Sequence, residues 1–104
     1  MVPKVIWSPQ ARDDLGHIAR EIAQDRPALA VPHCLELMDK VEALAPFPFS
    51  GRKFPRQDSP HLREFIVPPY RIIYELRPEA GALDVLRVWD ARRGEPEFTR
   101  PTSP

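Results

Sequence analysis

Only one cysteine, Cys34, occurs in this chain of 104 residues. An internal disulfide is therefore excluded, and no Cys/His cluster suggests a zinc site. An excess of charge is also absent: fifteen Lys and Arg balance fifteen Asp and Glu, so bulk charge names no partner. No stretch approaches the roughly 18 to 20 apolar residues that a bilayer-crossing helix needs. The start, Met1-Val-Pro-Lys-Val-Ile-Trp, lacks the basic head and long apolar run of a secretory signal. A cytoplasmic location with no membrane partner is therefore expected. Internal repeats and low-complexity segments are missing as well.

What is present suits a soluble globular protein, with 42% hydrophobic and 29% charged residues. The length allows one hydrophobic core and not two. Residues 1–50 carry five Lys/Arg against seven Asp/Glu, and residues 51–104 carry ten against eight. Any anion-binding surface is thus expected from the second half, by placement rather than by excess.

Val5-Ile6-Trp7 reads as a short strand that stops at Ser8-Pro9, a good helix start. Ser8 can cap free N–H groups, and Pro9 fits the first helical position. Asp13 and Asp14 are expected near the positive end of the helix dipole. Ala11, Leu15, Ile18, Ala19 and Ile22 fall at helical spacing and define a buried stripe. Asp25-Arg26-Pro27 ends this helix and opens a second over residues 27–44. Its apolar repeat is Ala28, Val31, Leu35, Met38, Val41 and Ala45, with Cys34 as a small core filler. Pro32 removes one hydrogen bond there and should kink the helix or delay its regular start. Pro46-Phe47-Pro48 stops it.

Residues 49–61 read as a loop. Strands are expected over 62–67, 70–76 and 83–89, separated by turn residues too few for helical crossovers, so the three should be antiparallel. The whole is an α+β domain of order β-α-α-β-β-β over residues 1–93. A helical hairpin packs on one face of a small antiparallel sheet, and the other face is open. Residues 94–104, with little to bury, are expected to form a flexible tail.

That order, with particular residues in particular places, resembles the RelE/ParE superfamily of type II toxin–antitoxin toxins. The resemblance rests on Val5-Ile6-Trp7-Ser8-Pro9-Gln10-Ala11-Arg12-Asp13-Asp14-Leu15, on Pro48 with Ser50-Gly51-Arg52, and on Leu62-Arg63-Glu64-Phe65-Ile66-Val67. It continues through Pro69-Tyr70-Arg71-Ile72-Ile73-Tyr74 and Val85-Leu86-Arg87-Val88-Trp89-Asp90-Ala91-Arg92-Arg93. The full-length hairpin and the Gly-Arg loop look more like the ParE side. The resemblance implies a toxin that inhibits DNA gyrase by binding, or else a RelE-like endoribonuclease that cuts messenger RNA at the ribosome. It implies a ParD-like or other cognate antitoxin, a toxin–antitoxin hetero-oligomer, and no cofactor or metal. A toxin-derived module that has lost activity and only binds its partner is the third alternative.

RNA cleavage without a metal needs a base, an acid and fixed cations for the phosphate. By resemblance to the ribonucleases, the candidates are Arg63, Arg71, Asp90 and Arg93. Arg87, Arg92 and Arg93 at the end of the last strand are the candidate functional surface, since an arginine fork grips two phosphate oxygens at once. Many relatives carry His where Asp90 stands, and an ionised aspartate is a weak base that repels phosphate. Lys53 and His61 are loop residues that would have to swing in. Each arginine also has a structural reading, with Glu64, Glu75 and Asp84 available to pair Arg63 and Arg71, and Asp90 to pair Arg92 or Arg71. Tyr70 and Tyr74 share a face and read as core with satisfied hydroxyls. Trp7 and Trp89 read as core or groove anchors, and neither His17 nor His33 has a partner that suggests a metal.

Overall fold

The computed structural model describes residues 2–54 and 59–99. Their order is β1 (Lys4–Trp7), α1 (Pro9–Asp25), α2 (Pro27–Leu44), β2 (Arg52–Lys53), β3 (Leu62–Val67), β4 (Tyr70–Arg77) and β5 (Ala82–Asp90). Short 3-10 turns follow β4 at Pro78–Ala80 and β5 at Ala91–Arg93. The sheet runs β1-β5-β4-β3-β2.

The three main strands are antiparallel neighbours, as their short connections require. Two features were not legible. β1 lies parallel to β5, with Lys4 opposite Ala82 and Trp7 opposite Val85, so the sheet is mixed. The segment read as loop supplies a two-residue strand, with Arg52 opposite Glu64 and Lys53 opposite Arg63.

Local chemistry explains why α1 begins where it does. Ser8 Oγ accepts from the Ala11 N–H at 3.1 Å and donates to the Leu86 carbonyl at 3.0 Å, so the cap also fastens the helix to β5. Ala11 and Ile18 are buried on the stripe that spacing gave, with Leu15 and Ile22 packed beside them. Asp14 is placed otherwise than expected. It lies beyond the first turn and is buried, so its charge serves a tertiary contact rather than the helix dipole.

In α2 the buried side is Ala30, Leu37, Val41 and Leu44, with Cys34 packed against the core. That corrects part of the expected stripe: Val41 and Ala45 are buried, but Val31 and Leu35 are 64% and 53% exposed. The helix is apolar on several faces, so three-and-four spacing had two solutions. Burial raises the Cys34 thiol, which donates to the Leu15 carbonyl at 3.5 Å and so fits the role of filler. α2 is regular from Pro27 onward with exposed Pro32 inside it, so the start is not delayed. A proline in a helix interior costs about 3 kcal/mol, partly offset by a stiffer unfolded chain. Pro32→Ala should therefore raise stability by about 1–3 kcal/mol in urea unfolding. No gain, or a loss, would mean that the ring supports the fold.

Side chains alternate across the sheet. Tyr70, Ile72, Tyr74 and Leu76 of β4 face the helices with Leu83, Val85 and Val88 of β5. Full burial of such side chains contributes about 1.5–3 kcal/mol each. The β4–β5 register slips between Ile73 and Tyr74, an irregularity that leaves Leu86 unpaired opposite β4. Tyr74 is fully buried, with its hydroxyl donating to the Pro48 carbonyl at 2.7 Å and accepting from the Gly51 N–H at 3.1 Å. A Cβ on Gly51 would sit 2.4 Å from that hydroxyl, so glycine is required there.

The far face of the sheet is not bare. A second cluster of Phe54, Leu62, Ile73, Leu86 and Trp89 occupies it, and Phe98 packs on top. The face read as open is thus lined by this cluster and met by Phe98; residues 100–104 of the expected tail lie outside the described residues. Thr99 donates to Gln10 Oε1 from its N–H at 3.2 Å. A lone aromatic in a polar tail has no periodicity, so the sequence gives no sign of this return.

Candidate functional site

The candidate residues occupy both faces of the sheet. Register puts Arg71 and Arg87 on the far face, opposite Trp89 and Ile73 respectively, while Asp90 pairs with Tyr70 on the helix side. Arg63 pairs with Tyr74. It therefore lies two strands from Asp90 and about 13 Å along the strand direction. Arg63 and Asp90 are thus held apart, and Arg71 lies on the other face from both.

Most of their charge is already committed. Arg71 makes a forked pair with Glu64, Nε to Oε1 at 2.7 Å and Nη2 to Oε2 at 3.1 Å, while Arg52 Nε reaches Oε2 at 3.0 Å. The Glu64 side chain is fully buried. Burial pushes its carboxyl up, but hydrogen bonds and charge from Arg71 and Arg52 outweigh that and hold it below the usual range. The bond to Glu64 in turn raises Arg71.

Arg87 reaches across to α1. Its Nε and Nη2 each lie 2.8 Å from an oxygen of Asp14, which also accepts from the Val88 N–H at 2.8 Å. The bond to Asp14 raises Arg87. Sequence reading missed this pair, because 73 residues separate the partners and no motif joins them.

Asp90 belongs to the turn that follows it. It accepts from the Arg92 N–H at 2.9 Å, from Arg92 Nε at 2.9 Å and from Nη2 at 2.6 Å. These bonds lower its pKa to about 2. A carboxylate that gives up its affinity for protons so completely is a poor base toward a ribose hydroxyl. The salt-bridge reading of Asp90 with Arg92 is the one the geometry supports.

Arg63 clasps the preceding loop, donating to the Pro60 carbonyl at 2.9 Å and to the Gly51 carbonyl at 3.2 Å, with Phe49 under its guanidinium at 5.0 Å. Lys53 is exposed beside it on β2, and the His61 ring stands 5.8 Å from Phe49. Both are at the Arg63 end of β3, away from Asp90. His17 takes a bond from Arg20 at 3.2 Å, and the His33 ring stands edge-on to Tyr70 at 6.0 Å. Among the described residues no group of three or more His, Cys, Asp or Glu could hold a metal.

Two features remain at the end of β5. Arg92 borders an open hollow of about 430 Å³ on the helix side, with Glu21, Asp25, Arg26, His33 and Tyr70. Arg93 turns the other way, its guanidinium 4.3 Å from the centroid of the Trp89 ring, over which Arg87 also lies at 4.8 Å. Arg93 is exposed, and its charge helps to lower the Asp90 carboxyl. The expected surface of Arg87, Arg92 and Arg93 is thus divided in its contacts: Arg87 pairs with Asp14, Arg92 pairs with Asp90, and Arg93 lies over Trp89. A guanidinium drawn to an indole by this attraction still has N–H groups to offer an anionic or planar partner.

Among the described residues no helix is long and apolar enough to cross a membrane. No curated protein matches this chain in sequence. In structure it is similar to a chain of the chromosomal ParDE TA system from P. aeruginosa, with a TM-score of 0.71 at 17% identity over 86% of this chain and 96% of that one. Likeness at that identity concerns the fold. The family model for the ParE toxin of the type II toxin-antitoxin system, parDE, matches residues 5–94. That span runs from Val5 in β1 through the turn after β5 and stops at Gly94. The chain belongs to the ParE toxin family of type II toxin–antitoxin systems.

Proposed function

We propose that this ParE-type toxin arrests growth in the cytoplasm by binding DNA gyrase, acts without catalysis of its own, and is silenced by a cognate antitoxin. The observation that carries the reading is the state of Asp90. It stands where a nuclease of the wider superfamily would be expected to keep its base, and it accepts three hydrogen bonds from Arg92, which lower its pKa to about 2. Arg71 and Arg87, which would serve a phosphate, are paired to Glu64 and Asp14 inside the fold. What remains available is the exposed Arg93, backed by the buried Trp89 ring, which suits recognition of a macromolecule rather than turnover.

Purified protein added to a gyrase supercoiling assay and to a translating lysate distinguishes the alternatives. Loss of supercoiling with message left intact is the expected result. Cleavage of message on the ribosome would replace this reading with the endoribonuclease one. Silence in both assays would leave a binding module without toxicity.

A further inference from the structure

The core is filled by one side of α2, through Ala30, Leu37, Val41 and Leu44. A second apolar run on the same helix, Ala28, Val31, Leu35 and Met38, turns away from it; the first three are exposed and Met38 is half-buried. The spacing of that run is the one by which a helix packs lengthwise on another helix. A helix apolar on two sides calls for cover on both, and this one does not qualify to cross a membrane. The charges of α2 also suit a helix with a neighbour rather than one alone. Arg26 precedes it, no side chain caps its free N–H groups, and its first turn holds no acid. Towards the other end Glu36, Asp39 and Glu42 are exposed, and the last turn holds no base. A cation at the N-terminus and acids near the C-terminus both oppose the helix dipole. Lys40, the one base among those acids, is drawn to Glu36 at 3.7 Å.

We infer that the outer side of α2 pairs with the same side of a second copy of this chain, antiparallel about a two-fold axis level with His33. That centre sets Val31 against the partner's Leu35 and Ala28 against the partner's Met38, and symmetry makes each contact twice. The same register carries Asp39 over the partner's Pro27, the uncapped start of the helix, beside the partner's Arg26. The acidic half of each copy thus answers the positive end of the other. A parallel pairing would instead set the acidic halves together. The helix of 18 residues is about 27 Å long, and the apolar seam covers about three of its turns. Such a seam suits a reversible dimer rather than a permanent one. The pairing does not depend on gyrase being the target.

Sedimentation of the full-length chain over a series of concentrations should show monomer passing reversibly into dimer. Leu35→Glu should raise the dimer Kd at least about 10-fold, because it puts a charge into the seam twice. Its far-UV circular dichroism should match the parent's, since Leu35 is exposed in the single chain. Asp39→Lys should weaken the dimer as well. In a mixture of isotope-labelled and unlabelled chains, filtered NOEs should join the methyl groups of Ala28 and Met38. Those residues are about 15 Å apart along one helix and meet only across an antiparallel pair. A chain that stays monomeric into the millimolar range would leave the stripe to another partner and overturn the inference. So would a Kd unchanged in either variant, or a dimer without the Ala28–Met38 contact.

Discussion

Replacing Asp14 with alanine is expected to remove about 3–5 kcal/mol of folding stability, a large share of the roughly 5–15 kcal/mol available to a domain of this kind. Three donors converge on this one carboxylate, two from Arg87 and one from the Val88 N–H. The side chains are 8% and 13% exposed, so neither group recovers its lost partner from bulk water. Alanine leaves a cation enclosed without its counter-charge and a buried N–H without an acceptor, and both effects have the same sign. Asn in place of Asp14 keeps the acceptor for Val88 and should cost less. Asp14→Leu combined with Arg87→Met should also cost less than Asp14→Ala alone, because no charge is then stranded. Urea unfolding of the four proteins measures this directly. A loss below about 1 kcal/mol for Asp14→Ala, the range of surface pairs, would show that the pair contributes little.

The second large effect is expected at Glu64. Glu64→Gln should cost about 3 kcal/mol, because it leaves Arg71, whose side chain is 15% exposed, without a counter-charge on the far face. The pH dependence should change with it. The folded carboxyl titrates below its ordinary value of 4.5. Its contribution is therefore complete above that value and is lost as pH falls through the lower folded one. Asp90 adds a loss of the same sign between its ordinary value of 3.8 and about 2. The parent chain should thus lose stability on acidification below about pH 4.5, and the Gln variant should lose less over the upper part of that range. Parallel pH profiles for the two proteins would contradict the assignment.

What was legible in the sequence was local. Ser8-Pro9 carries its own physics, because a cap and a first-turn proline act within one helical turn. The β-branched and aromatic runs of β3, β4 and β5 are equally self-contained, and their short connections left antiparallel pairing as the solution. The order of elements and the resemblance to the toxin superfamily came from the same residues, and the family match over residues 5–94 agrees with them. What was hidden depends on partners distant along the chain. The place of β1 beside β5 follows from where the hairpin returns, not from any residue in Lys4–Trp7. In α2 the choice between two apolar faces is made by what the sheet presents, so Val31 and Leu35 were read as buried and lie outside.

The candidate site was legible by residue type and not by arrangement. Glu64 was rightly named as an available partner for Arg71, and Asp90 for Arg92. The division of the arginines between two faces depends on register, and a one-residue slip would have exchanged them. The return of residues 94–99 over the sheet is marked in the sequence by Phe98, an aromatic without a pattern around it.

The central claim is that this toxin works through a presented surface and not through a base at the end of β5. Growth arrest on induction of Asp90→Asn, compared with the parent chain at equal protein level, tests it most directly. The variant keeps an acceptor for the Arg92 N–H and sits in an exposed turn, so its fold should hold. Arrest within about twofold of the parent is the predicted result, since a catalytic base is expected to contribute about 10²–10⁴-fold. A folded Asp90→Asn protein that no longer arrests growth would contradict the claim.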